Sequence, residues 1–279
     1  MMIVQTTETD VFRNLAAEEW LLENTADLSV LFLYVNAPCV VIGKNQNPWR
    51  ECRLSLMEQE DVPFARRISG GGAVFHDAGN LNVSVIVPRA QYQEEKQYEL
   101  ILAALRKFGI TAEKLNKNSL AIAGKKFSGN AFCMRKNRVL HHCTLLVNSD
   151  LSRLGRYLGA EVAGIETKAV PSIPSPVINL NSVAPRITIE KISAALIEKF
   201  KIEYCSGETL KQWNEENFPP AVIDRLSERY YTDEWRYCRT PKFTAHIAGE
   251  LFQVEKGRVI NHPAVPLFPE VLQTRRRVR

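Results

Sequence analysis

No stretch of the 279-residue sequence approaches the roughly 18 consecutive apolar residues that a membrane-spanning helix needs. The opening residues, MMIVQTTETD, also lack the basic segment and apolar run of a secretory signal. Both absences lead to the expectation of a soluble, cytoplasmic chain with no membrane partner. The six cysteines (Cys39, Cys52, Cys133, Cys143, Cys205 and Cys238) show no CxxC spacing, which argues against a zinc ribbon or a thioredoxin-type redox pair and leaves them to be read as mostly small buried hydrophobes. An excess of one charge is missing from the body of the chain: 36 basic and 31 acidic residues leave a net +5, most of it from Arg275, Arg276, Arg277 and Arg279. A nucleic-acid binder spreads lysine and arginine over one face to neutralise phosphates, so no nucleic-acid partner is expected, and the basic end reads as a solvated tail. There is no internal repeat or low-complexity tract. With 45% hydrophobic and 24% charged residues the composition is that of a globular protein, long enough for one large domain with a small appendage or for two of middling size.

Apolar periodicity then places elements. Phe12, Leu15, Ala16 and Leu22 predict an amphipathic helix over 11–24. The β-branched runs 29–35 and 39–43 read as successive strands joined by a tight turn at Asn36-Ala37-Pro38. Leu81, Val83, Val85 and Val87 alternate along a third strand. Tyr98, Ile101, Leu102, Leu105 and Phe108 mark a second helix that Gly109 ends, and Ile189, Ile192, Leu196 and Phe200 mark a third. Residues 119–123 and 139–147 read as strands bracketing a glycine-containing loop. Strands arrive in clusters with helices between them, so the fold class is α+β, a mixed β-sheet flanked by helices. Four prolines between Val170 and Pro185 force an extended connection. After Thr240-Pro241 too few residues remain for an independent core of normal size.

Chemistry concentrates in a few segments. RRISGGGAVFHDAGN, at 66–80, carries three consecutive glycines beside two arginines. Glycine admits φ > 0 and lets backbone N–H groups close around anionic oxygens, and a guanidinium fork suits carboxylate or phosphate; a wide turn between strands is the plainer reading. No GKS or GKT follows, and GxGxxG spacing is absent, so this is neither a P-loop nor a dinucleotide fingerprint. GKKFSGNA, at 124–131, places Lys125 and Lys126 at a tip between strands, where one lysine could face a phosphate or developing oxyanion, unless the tip is merely solvated. His141 and His142 fall on opposite faces of a strand and cannot share a metal; Cys143 shares the His141 face, so a nucleophilic thiolate is stereochemically open beside plain core packing. Asn45, Gln46 and Asn47 follow a strand end, where either a ligand loop or a plain turn would fit.

Taken together, NLAAEEWLL at 14–22, VVIGKNQNPWRE at 40–51, the 66–80 segment, GKKFSGNAF at 124–132, HHCTLLVNSDL at 141–151 and VINL at 177–180 resemble the lipoate-protein ligase A and lipoyltransferase family, in the family's order. WRYCRTPKF at 235–243 resembles its junction between catalytic and accessory domains. The resemblance implies a fold related to biotin protein ligases and class II aminoacyl-tRNA synthetases. It implies a reaction in which lipoate and ATP, with Mg2+, give lipoyl-AMP. The lipoyl group then passes to a lysine on a lipoyl domain of a 2-oxoacid dehydrogenase E2 subunit or on the glycine-cleavage H protein. It further implies Lys126 as the catalytic lysine holding the mixed anhydride. Arg67, Ser69, Gly72, Ala73, Val74, Phe75, His76 and Asn80 are implied as ATP or lipoyl-AMP contacts, with Asn118, His142 and Lys168 as additional candidates and no protein-bound metal. An apolar tunnel around Val74, Phe75 and Val83 would take the acyl tail.

Departures from the family pattern carry expectations of their own. Cys143 stands where the family has glycine, as in the mammalian-type lipoyltransferases, so transfer from preformed lipoyl-AMP, or through a thioester on Cys143, is an alternative. Asn118-Ser119 replaces an Asn-Asp pair and removes a carboxylate. Residues 1–239 are expected to form the catalytic domain and residues 240–279 a truncated accessory segment with a basic tail, ELFQVEKGRV at 250–259 resembling its first hairpin.

Overall fold

The computed structural model describes residues 1–204, 209–262 and 268; Cys205 and the arginine-rich end, on which expectations were stated above, lie outside these. In chain order the elements are β1 (Met2–Gln5), α1 (Val11–Asn24), β2 (Val30–Tyr34), β3 (Cys39–Ile42), α2 (Pro48–Glu51), α3 (Leu54–Gln59), β4 (Phe64–Arg66), β5 (Val74–His76), β6 (Asn80–Pro88), α4 (Glu94–Arg106), β7 (Glu113–Asn116) and β8 (Ser119–Ile122). They continue with β9 (Lys125–Met134), β10 (Arg138–Leu146), α5 (Leu151–Tyr157), β11 (Glu166–Thr167), α6 (Ile189–Tyr204), β12 (Lys211–Trp213), α7 (Pro220–Tyr231), α8 (Asp233–Arg236), β13 (Phe243–Ile247), β14 (Glu250–Glu255) and β15 (Arg258–Val259).

The central sheet has eight strands in the order β12-β1-β2-β6-β10-β9-β8-β7, with β1 parallel to both β12 and β2 and the other pairs antiparallel. The α+β class with a mixed sheet follows directly. Strand side chains alternate between faces, and here both faces are covered. Leu81, Val83, Val85 and Val87 of β6 join Tyr98, Ile101 and Leu105 of α4 and Ile192, Leu196 and Phe200 of α6 in one core. Phe32, Tyr34, Ile86 and Leu140 face the other way, against Phe12, Leu15 and Leu22 of α1. Val83 is therefore core beneath α4, not the wall of an acyl tunnel. Asp10 caps α1 by accepting from the backbone N–H groups of Phe12 and Arg13, and α4 is followed by Gly109 at φ +71°.

Two expectations need correction. The runs around β2 and β3 are both strands, but they do not pair: β2 lies in the large sheet, whereas β3 is the centre of a separate sheet in the order β4-β3-β5. Both runs are apolar on every residue, and such runs carry no alternation that would identify a partner. Second, Lys125 and Lys126 are not the tip of a loop. The turn falls at Ala123 and Gly124, both with positive φ (+47° and +75°), the geometry of a two-residue hairpin turn, and β9 begins at Lys125.

The C-terminal strands extend a third sheet, β11-β13-β14-β15, whose first strand belongs to the preceding region. Their core is shared with the body through Trp49, which stacks on Tyr237 at 5.5 Å and meets Phe243 at 5.4 Å and Phe268 at 4.9 Å. No helix among the described residues is long and apolar enough to cross a membrane. Because Trp49 is 1% exposed and joins two regions, Trp49→Ala should destabilise the chain by about 3–5 kcal/mol in urea denaturation. Amide exchange should accelerate first in β13 and β14. A loss below about 1 kcal/mol would show that the C-terminal strands do not depend on this ring.

Candidate active site

Adjacent residues of a strand point to opposite sides, and the pair at the end of β4 uses this. Arg66, wholly buried, donates to the carbonyls of Gly43, Lys44 and Gln46 and, across the molecule, to the carbonyl of Arg236 and the hydroxyl of Thr240. It fastens the α8 junction to the body. Arg67 turns to the glycines: its Nε donates to Ser69 Oγ (3.0 Å) and its Nη2 to the carbonyls of Gly70 (2.6 Å) and Gly72 (2.8 Å), while Nη1 reaches Val41 O at 3.2 Å. The guanidinium thus shapes the loop instead of standing free as a fork. Burial lowers its pKa to about 10, so it remains a cation at neutral pH. The left-handed residue is Gly71, at φ +85°, not Gly72; a Cβ there would lie 2.8 Å from Arg67 Nη2. Gly43 lets the loop approach closely, since a Cβ at that position would sit 2.3 Å from Gly71 O.

Behind Arg67 lies a relay that the sequence reading missed. Ser69 Oγ meets His142 Nε2 at 2.7 Å, His142 Nδ1 meets Glu18 Oε1 at 2.9 Å, and Ser84 Oγ donates to the same carboxylate oxygen at 2.5 Å. Burial pushes the Glu18 carboxyl up, but the attractions of His142, Ser84 and Arg67 outweigh it and hold the group below its ordinary value. The signal was available: Glu18 occupies a position of α1 in step with Leu15 and Leu22, where a core-facing hydrophobe belongs.

Two cavities meet beside this loop. The first, about 320 Å³, is lined among others by Tyr34, Arg67, His76, Asn82, Asn118 and His142; the second, about 560 Å³, by Phe75, Phe127, Leu146, Leu154, Leu158 and Val177. Ala73, Val74, Lys126, Gly129, Thr144 and the segment 171–173 line both. Burial and the neighbouring Arg67 charge lower the Lys126 pKa, whereas Lys125 is exposed and lines neither cavity. The proline-containing segment crosses the junction as a strap. Ser172 Oγ accepts from the Ala73 N–H (2.9 Å) and Gln46 Nε2 (3.0 Å), the Ser172 N–H donates to Glu51, and Lys126 exchanges backbone hydrogen bonds with Pro176 and Ile178. Gln46, read as a candidate ligand-loop residue, is spent on holding this strap, and Asn47 caps α2.

Of the expected site residues, Arg67, Gly72, Ala73, Val74, Phe75, His76, Asn118, Lys126 and His142 line one or both cavities. Three do not. Ser69 is buried behind Arg67 in the relay, Asn80 is buried at the start of β6 with its Nδ2 on Asn82, and Lys168 is exposed beyond the strap. His141 and His142 do point apart: His141 Nε2 is paired with Asn130 Oδ1, and its ring packs on Phe132 and Tyr98. Cys143 lines the first cavity, but burial pushes its thiol up to about 12. A thiolate nucleophile there is strongly disfavoured at neutral pH.

The family model for the lipoyl protein ligase A/B catalytic domain matches residues 10–201. A lipoate-protein ligase A of Psychrobacter cryohalolentis is 38% identical over 255 residues, covering 88% of this chain and 75% of that protein. The mitochondrial lipoyl amidotransferase LIPT1 of Mus musculus is 35% identical, covering 92% and 74%. Among solved structures, Plasmodium falciparum LipL1 in complex with lipoate superposes with a TM-score of 0.74 at 27% identity, covering 93% of this chain and 82% of that one. A lipoate-protein ligase A bound with ATP gives 0.71 at 25% identity, covering 84% and 96%. A bipartite lipoate protein ligase of Thermoplasma acidophilum with its E2 lipoyl domain gives 0.70 at 25%, covering 84% and 94%.

The buried imidazoles set an acid dependence of stability. Burial holds both His76 and His141 at about 3, far below the 6.5 of an unfolded histidine. The unfolded chain therefore binds two more protons between those values, and stability falls as pH drops through 6.5 toward 3, by up to about 1.4 kcal/mol per pH unit for each ring. The Glu18 carboxyl, depressed in the fold, adds its loss only below about pH 4.3. Urea midpoints at pH 7 and pH 5 should show the histidine slope, and His141→Phe should reduce it by about one proton. An unchanged slope in that variant would mean that His141 is protonated in the folded chain.

Proposed function

The chain belongs to the lipoyl protein ligase A/B catalytic-domain family and is an enzyme of the lipoate-protein ligase class, and we propose that it activates lipoate with ATP to lipoyl-AMP and transfers the lipoyl group to a lysine of a lipoyl domain. The observation that carries this reading is the meeting of two cavities at Lys126. Adenylation joins a carboxylate to the α-phosphate of a nucleotide, so two anionic ligands must be brought end to end and their charge neutralised where they touch. The first cavity takes the acyl chain and the second the adenosine. Support for the two ligands comes from the lipoate complex and the ATP complex among the solved relatives.

In this reading a lipoate carboxylate oxygen attacks the α-phosphorus, the bond to pyrophosphate breaks, and the Lys126 ammonium and Arg67 guanidinium offset the gathered negative charge. The product is a mixed anhydride bridged at its acyl and phosphate oxygens by Lys126. The amine of the acceptor lysine then attacks the acyl carbon and AMP leaves. The strap over the junction excludes water, which would otherwise hydrolyse the anhydride. Residues 1–239 carry this chemistry and residues 240–279 are the accessory segment. A solved relative paired with its E2 lipoyl domain supports the acceptor class, and the glycine-cleavage H protein is a second acceptor of the same kind.

The lining residues do not fit a magnesium ion held by the protein. The carboxylate lining the second cavity, Glu51, is already engaged by Arg50 and by the Ser172 N–H, and no group of three His, Cys, Asp or Glu side chains that could hold a metal occurs among the described residues. No step is derived through the ion. The same shortage of carboxylates, at Asn118-Ser119 above all, favours a second reading in which preformed lipoyl-AMP is the donor, as the similarity to a lipoyl amidotransferase also suggests.

The two readings separate on one assay. Lipoate, ATP and magnesium should release pyrophosphate and increase the mass of a lipoyl domain. If a supplied lipoyl-AMP is transferred but no pyrophosphate ever appears, amidotransfer is the activity. Lys126→Ala should slow the transfer by about a hundred- to a thousandfold, roughly 3–4 kcal/mol. Lys126→Arg should restore little, because a planar fork does not replace a compact ammonium, and Lys125→Ala should be mild. A crippling Lys125→Ala with a nearly silent Lys126→Ala would move the catalytic lysine by one position.

A further inference from the structure

β9 carries a β-bulge where its chemistry is concentrated. Against β8, Ser119 pairs with Gly129, Leu120 with Ser128, Ala121 with Lys126 and Ile122 with Lys125, so Phe127 is an extra residue between two paired ones. In an unbroken strand residues three apart point to opposite faces. Plain alternation back from Gly129 would put Phe127 and Lys125 on the Gly129 face and turn Lys126 away from it. The bulge absorbs the extra residue: Phe127 joins Leu120 in the core beneath α4 and α6, and Lys126 comes onto the same face as Gly129. One irregularity in register thus decides which of two adjacent lysines lines the cavities.

The Lys126 backbone is fixed on both sides. β8 holds one edge; on the other, the Lys126 N–H donates to Pro176 O at 2.8 Å and the Ile178 N–H to Lys126 O at 3.0 Å. The flexible four-carbon stem is then all that remains to be placed. Its ammonium takes part in no ion pair or side-chain hydrogen bond among the described residues, so packing sets its path. A Cβ built on Gly129 would lie 3.2 Å from both Lys126 Cε and Lys126 Nζ, and its next neighbour, Thr144 Oγ1, is at 3.9 Å. Gly129 is itself anchored: it follows the pairing of Asn130 with Cys143 that ends the β9–β10 ladder, and its N–H donates to Thr144 Oγ1 at 3.2 Å. Its φ is not positive, so a side chain there meets no backbone strain. What it would meet is the end of the lysine.

We propose that Gly129 is a positioning residue for Lys126: the space left by its missing Cβ is where the end of the lysine side chain lies, and the bulge at Phe127 brings that space and the lysine onto one face, at the junction of the two cavities. This rests on the reading above that Lys126 bridges the acyl and phosphate oxygens. A methyl group at 129 would push Cε and Nζ aside by a few tenths of an ångström. The fold tolerates that, because the end of a flexible side chain yields easily; a group that must meet two oxygens at once does not.

The test compares wild type, Gly129→Ala, Gly129→Val, Lys126→Ala and the double variant Lys126→Ala/Gly129→Ala, using the full chain. The readouts are the urea midpoint and transfer from supplied lipoyl-AMP to a lipoyl domain. Gly129→Ala should keep the midpoint and the KM for the lipoyl domain while slowing kcat about tenfold, and Gly129→Val should slow it about a hundredfold. In the Lys126→Ala background Gly129→Ala should cost nothing further, since the group it displaces is gone. A Gly129→Ala variant at the wild-type rate overturns the proposal, as does an equal fractional loss with and without Lys126, which is the signature of a purely structural role. Crystal structures of wild type and Gly129→Ala ask the same question without catalysis: Nζ should be displaced, and an unmoved Nζ overturns the proposal. A displaced Nζ together with a fully active Lys126→Ala would leave the placement standing and refute the catalytic role given to Lys126 instead.

Discussion

The guanidinium of Arg67 is the constraint on which the site depends. Its donors are divided among Val41 O, Ser69 Oγ, Gly70 O and Gly72 O, so the loop between β4 and β5 is wrapped around a single buried cation. A buried charge is costly unless it is well partnered, and the partnering here has two parts: the carbonyls of the glycine loop, and the Glu18 carboxylate reached through Ser69 and His142. The loop can take this form only because Gly71 adopts positive φ and Gly43 has no Cβ to strike it. Remove the arginine and three carbonyls lose their common donor; remove the glycines and the arginine has nothing to close around.

The rest of the architecture sets what this loop faces. β9 brings Lys126 to the same place from the large sheet, and the strap at 171–178 is pinned to the loop through Ser172 and to β9 through Pro176 and Ile178. Two cavities thereby share one charged junction under one cover. Arg66, the neighbour that points the other way, ties the same strand to Arg236 and Thr240, and the Trp235 Nε1 donates back to Arg66 O at 2.6 Å. The segment leading to the C-terminal strands is thus connected to the glycine loop through two consecutive residues, Arg66 at the end of β4 and Arg67 after it. Any displacement of those strands would be felt at Arg66 before it reached the site.

How much of this was legible in the sequence depends on the range of the interaction. Lys126, Arg67 and the glycines stand in short segments whose chemistry is local, and Lys126, Arg67, Gly71 and Gly72 come together at the wall of the first cavity. The opposite facing of His141 and His142 followed from strand period alone. Gly72 was named by resemblance, and the run of three glycines does not itself say that Gly71 is the one at positive φ. Ser69, Asn80 and Lys168 were placed at the site by resemblance, yet their side chains face the relay, the start of β6 and solvent respectively. Glu18 was overlooked although a carboxylate in step with Leu15 and Leu22 is a visible anomaly; its partner lies 124 residues away in sequence, and nothing local names it. The separation of β2 and β3 into different sheets was hidden for a similar reason, since apolar runs buried on both faces have no distinguishing pattern.

The most direct measurement of the central claim is a crystal structure of this chain with a hydrolysis-resistant lipoyl-adenylate analogue. The account predicts the acyl chain in the cavity lined by Tyr34 and His76, the adenosine in the cavity lined by Phe75 and Phe127, and the Lys126 ammonium within hydrogen-bond distance of both the acyl oxygen and the phosphate surrogate. An analogue bound with its two halves exchanged, or with its junction remote from Lys126, would contradict it.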